Sequence, residues 1–128
     1  MGHSKRYVVS ALSYALAGMG LGIYMAASQQ HGQHVTHAHV LLVGFITSMV
    51  YGLIHRLWLD GTHPRLAWVQ FAAHQAGVLA MCTGLFLLYG GLVLPPQLEP
   101  VLGAASIAVL LGAAMMLYLV VRSRSDWT

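Results

Sequence analysis

Acidic residues are scarce in this chain. Of 128 residues only Asp60, Glu99 and Asp126 carry a carboxylate, and charged residues of either sign make up 7%. A soluble domain covers itself with about 25% charged residues, so this composition argues against a water-facing surface. Asp60 and Asp126 lie outside the apolar runs and Glu99 sits at the very start of the fourth, which argues against carboxylate acid–base chemistry and against an Asp- or Glu-based proton relay in a membrane. Cysteine is as sparse. Cys82 stands alone in an apolar run, so there is no disulfide framework, and no CxxC or CxxCH motif offers covalent haem attachment. A Gly-rich phosphate loop, a nucleophile elbow and an HExxH motif are missing too. Six Lys and Arg give a formal charge of +3, too few and too scattered to recruit nucleic acid.

What is abundant is apolar. Hydrophobic residues reach 58%, and the mean hydropathy is +0.70. Four runs, roughly 7–28, 37–58, 66–89 and 98–121, are each long enough to cross the hydrocarbon layer as a helix. The first follows a basic start, Lys5-Arg6, but it is too long for a signal-peptide core and reads as a span. The connectors 29–36, 59–65 and 90–97 are short and carry turn formers such as Asp60-Gly61, His63-Pro64 and Pro95-Pro96. Short connectors force neighbouring helices to run antiparallel. The expected fold is one all-α transmembrane domain over residues 1–128, an up-down-up-down four-helix bundle in a lipid bilayer.

Charge sets the expected orientation. Lys5 and Arg6 precede the first span, Arg56 and Arg65 flank the second connector, and Arg122 and Arg124 follow the fourth span. All six fall on one side, which the positive-inside rule makes cytoplasmic. Both termini are then cytoplasmic, the protein is a multi-pass protein of a bacterial inner membrane, and connectors 29–36 and 90–97 face the periplasm. Small residues mark candidate helix contacts: Gly18 and Gly22 in the first span, and Ala104, Ala108 and Gly112 in the fourth.

Histidine is the second abundance. Eight are present, and His31, His34, His37 and His39 fall within nine residues where the outer connector enters the second span. Imidazole is the commonest protein ligand for transition metals and haem iron, and it is costly at a membrane edge. Projected at about 100° per residue, His37, Gly44, Ser48, Tyr51, Gly52 and His55 share an inward face. His39, Val43, Ile46, Met49, Val50 and Leu53 share the opposite one, suited to lipid or a second copy. His74 is the only histidine deep in a span, with Gln70 one turn earlier as a possible partner. His55 and His63 lie beside arginines at the inner ends, where a plain surface role suffices. His3 falls in the terminal segment and is given no role. Tyr51, Trp58 and Trp68 suit an aromatic belt at the inner boundary.

The stretch His37-Ala-His39-Val-Leu-Leu-Val-Gly44-Phe, continuing to Tyr51-Gly-Leu-Ile-His-Arg56, adds a resemblance. It resembles the HAH-x-x-L-x-G-F pattern of small membrane proteins related to subunit I of haem-copper oxidases and nitric oxide reductases. It is also similar to a stretch in the haem- and copper-containing NnrS proteins. In that superfamily a histidine near the outer end of the second span ligates a low-spin haem b. The resemblance therefore implies non-covalent haem b near the periplasmic face, with ligands drawn from His37, His39 and His74. His31, His34, Met25, Met81 or a second copy could supply the remaining position. The implied functions are electron transfer or the binding of haem, nitric oxide or oxygen, alongside a redox partner or oxidase subunits and in a homo-oligomer. With four spans the chain is not expected to be a complete oxidase or reductase on its own.

Two other readings stay open: a copper or zinc site built from His31, His34, His37 and His39, and a non-catalytic assembly factor whose histidines bind nothing.

Overall fold

Prolines and connectors set the element boundaries. The computed structural model describes residues 2–124, which form four helices: α1 (His3–Ser28), α2 (His34–Leu57), α3 (Pro64–Tyr89) and α4 (Pro95–Arg122). Each is long and apolar enough to cross a membrane, and among the described residues there is no strand. The chain is a multi-pass membrane protein. Every helix starts earlier than its apolar run. α3 and α4 begin on Pro64 and Pro95, whose fixed φ and missing N–H suit a first helical turn. α1 ends at Gln29, which takes the left-handed conformation (φ 59°) that closes a helix.

α2 departs from a regular helix. Val40–Ile46 is wound as a π-helix, and the Thr47 hydroxyl donates to the Leu42 carbonyl five residues back at 2.8 Å. The wider turn shifts which side chains face inward. Thr36, Val40, Gly44 and Ser48 are buried at a spacing of four, so Thr36 takes the fully inward place and His37 is only half-buried. A projection at a constant 100° per residue cannot see this shift.

The helices pair as hairpins, α1 against α2 and α3 against α4, and the hairpins meet where α3 packs on α1 and α2. At the end bearing the basic residues, Tyr7, Tyr51, Ala67, Met116 and Leu119 form one cluster that ties all four helices together. The Gly18/Gly22 pair serves α1–α2 packing: a Cβ on Gly18 would meet Leu41 at 2.5 Å, and one on Gly22 would meet His37 at 3.0 Å. In α4 the small stripe against α3 runs through Ala105, Ala108 and Gly112, while Ala104 is exposed. The outward surface is apolar, with Leu16, Ile23 and Leu110 about two-thirds exposed or more, as lipid contact requires.

Candidate functional site

Three of the four clustered histidines share one habit. His34 donates its Nδ1–H to the His31 carbonyl at 3.0 Å, and His39 donates to the Val35 carbonyl at 2.9 Å. Both are local bonds within a turn. His37 differs, because its Nδ1–H reaches the Gly18 carbonyl of α1 at 2.8 Å. A carbonyl only accepts, so each contact places the proton on Nδ1 and leaves Nε2 as the lone-pair nitrogen. Among the described residues nothing bonds Nε2 of His37 or His39, and neither atom is sealed from the surface. Gly22 makes the His37 position possible, since its missing Cβ leaves room for the ring edge. A carbonyl-anchored imidazole with an open Nε2 is the usual arrangement of a metal or haem ligand.

The structure does not gather the four into one centre. Among the described residues no group of three or more His, Cys, Asp or Glu side chains could hold a metal ion. His31 and His34 are exposed in and just after the connector, and His37 and His39 are half-buried. Met25 is buried on α1 and Met81 half-buried on α3.

His74 belongs to a separate assembly. It is fully buried, and its Nε2 shares a hydrogen bond with the Ser48 hydroxyl at 3.3 Å. Ser48 in turn accepts from Gln75 Nε2 at 3.3 Å, and the Tyr14 hydroxyl donates to Gln75 Oε1 at 2.7 Å. The Val43 carbonyl of the π segment adjoins the same imidazole. One turn nearer the basic end, the Tyr7 hydroxyl donates to Gln70 Oε1, and Gln70 Nε2 donates to the Gly112 carbonyl at 3.1 Å. This polar strip ties the four helices where unpaired groups are costly. Among the described residues His74 Nδ1 has no hydrogen-bond partner.

Space around His74 is closed. Gly112 lies against its backbone, a Cβ there meeting His74 at an ordinary contact distance of 3.4 Å, and the Tyr51 ring stands edge-on at 5.0 Å. Tyr51 is thus a core residue, 8% exposed, and not part of an interfacial belt, whereas Trp68 is exposed under the Arg6 guanidinium at 4.1 Å. His74 and His37 are also far apart. Ser48, which touches His74, stands eleven residues along α2 from His37, about 16 Å at a helical rise.

The basic end holds a pair that sequence reasoning missed. His3 lies in the first turn of α1 and stacks on His55 with ring centroids 5.2 Å apart, and His55 stacks on Tyr7 at 5.7 Å. The spacing of His3 to Tyr7, one helical turn, was the available signal.

No protein-family model matches the chain, and no curated protein and no solved structure matches it either.

Proposed function

We infer that the chain is a haem-b-binding membrane protein in which His37 would hold the haem iron. One observation carries this reading: the 2.8 Å contact from His37 Nδ1 to the Gly18 carbonyl, which orients the ring and leaves Nε2 open. The donor chemistry fits non-covalent haem, and the resemblance of the His37–Phe45 stretch points the same way. When bound, the haem would supply a one-electron couple or a site for a diatomic gas. The chain's own part is to fix the imidazole, enrich its electron density through the Nδ1–H bond, and surround it with apolar side chains.

His74 does not fit the same role. Its surroundings leave no slot beside the ring, and its bonds make it a tie between α2 and α3. A second copy of the chain in a homo-oligomer would supply a further histidine, His37 or His39, to hold the haem. By the distribution of basic residues, the site faces the periplasmic side of a bacterial inner membrane. A visible spectrum of the purified protein tests the reading. A Soret band that shifts on reduction supports it; a colourless protein with or without bound copper or zinc contradicts it.

A further inference from the structure

At the basic end the chain closes a pocket from parts distant in sequence. The α2–α3 connector supplies Thr62 and His63, and the end of α4 supplies Arg122 and Arg124; together they line a cavity of about 430 Å³. The walls are stitched to each other. The Ser123 hydroxyl donates to the Trp58 carbonyl at 2.8 Å, and the Arg124 backbone N–H donates to Asp60 Oδ2 at 2.8 Å. Asp60 Oδ1 accepts from the Thr62 backbone N–H at 3.1 Å and from its hydroxyl at 2.8 Å. Having given its proton to Asp60, the Thr62 hydroxyl accepts from His63 Nδ1 at 2.9 Å. Tyr118 steadies that ring edge-on at 6.2 Å.

The two guanidiniums of this pocket are not neutralised by ion pairs of their own among the described residues. Among the described residues no carboxylate pairs with the Arg122 or Arg124 guanidinium, and both oxygens of Asp60 are occupied by Thr62 and Arg124 backbone donors. The Asp60 carboxylate, the Thr62 hydroxyl and His63 Nδ1 are thus engaged with one another in the pocket wall, and the two guanidiniums are the groups left to face the void. The guanidinium fork matches phosphate oxygens bidentately. The pocket also lies where α4 leaves the apolar layer, at the depth of lipid headgroups.

We propose that the pocket formed by Thr62, His63, Arg122 and Arg124 binds a phosphate group, supplied by the headgroup of an anionic phospholipid. The full chain, purified in detergent and stripped of lipid, is titrated with short-chain phosphatidylglycerol, phosphatidylcholine or inorganic phosphate. Native mass spectrometry reads the bound species. Phosphatidylglycerol is expected to bind at one site, about tenfold or more tighter than phosphatidylcholine, and to lose about tenfold or more in R122Q/R124Q. R122K/R124K, which keeps the charge and loses the fork, is expected to fall between the two. K5Q/R56Q removes the same charge from the same end without touching the pocket and is expected to bind as the unaltered chain does. Circular dichroism shows that each variant retains its helices. Equal losses in R122Q/R124Q and K5Q/R56Q would overturn the proposal, because attraction would then be diffuse. Displacement of the lipid by millimolar inorganic phosphate would overturn the lipid as the source while keeping the phosphate site.

Discussion

His37 and Gly18 are joined across the α1–α2 interface by a 2.8 Å hydrogen bond from the imidazole Nδ1–H to the backbone carbonyl. This single contact separates His37 from its neighbours. His34 and His39 bond carbonyls three and four residues back, as a histidine in any helix can, and gain no fixed place in the tertiary structure. His37 is oriented by a different helix, so its open nitrogen has a defined direction relative to the bundle.

The glycines beneath His37 should be sensitive to size. Gly22→Ala places a methyl group 3.0 Å from His37 Cε1, whereas Gly20 has nothing within 4 Å. Thermal unfolding in detergent should show Gly22→Ala destabilised by about 1 kcal/mol or more and Gly20→Ala at least as stable as the parent. Equal effects would show that the ring does not rest on Gly22.

His74 should behave as a structural residue. It is fully enclosed and bonded to Ser48. Removing it leaves a cavity and unpaired partners, so His74→Ala should lower stability by about 2–5 kcal/mol. The position and intensity of any haem band per folded protein should stay unchanged. Loss of the band without loss of stability would return His74 to the ligand set.

Tyr7 separates ring packing from hydrogen bonding. Its ring contacts Tyr51, Phe71 and His55, and its hydroxyl serves Gln70. Tyr7→Phe should cost about 1 kcal/mol, the worth of one interhelical hydrogen bond, and Tyr7→Ala about 3–5 kcal/mol. Chemical unfolding of the two variants measures the difference.

The contact between Arg124 and Asp60 should loosen in acid. The Arg124 backbone N–H and the two Thr62 donors hold the Asp60 carboxyl down from 3.8 to about 2. A carboxylate whose pKa is depressed on folding contributes above its ordinary pKa and loses that contribution as pH falls through the folded value. The docking of Arg124 on Asp60 should therefore persist at pH 5 and fade between about pH 4 and pH 2. Amide hydrogen exchange at Arg124 reads this directly, and Asp60→Asn should remove the pH dependence.

The four spans were legible because hydropathy and connector length decide them, and the glycine pair at Gly18 and Gly22 marked a close helix contact without naming its partner, which the structure shows to be α2. Helix starts were displaced because Pro64 and Pro95 begin helices in polar segments that an apolar run omits. The π-turn over Val40–Ile46 was not legible, since it depends on how Thr47 and the surrounding helices accommodate one extra residue per turn. That turn moved Thr36 inward and set His37 beside α1. Tyr51 read as an interfacial aromatic because of its place in the sequence, yet the cluster with Tyr7 and Met116 buries it. The stacking of His3 on His55 required knowing that α1 begins at His3.

The most direct measurement is haem content per folded chain in the parent, His37→Ala and His39→Ala proteins, read from the reduced-minus-oxidised visible spectrum. A haem ligated by the histidine that Gly18 orients should be lost in His37→Ala. In His39→Ala it should be retained or, where a second copy supplies that ligand, altered in position. Full retention of haem in His37→Ala, or a parent protein with no haem band, would contradict the account.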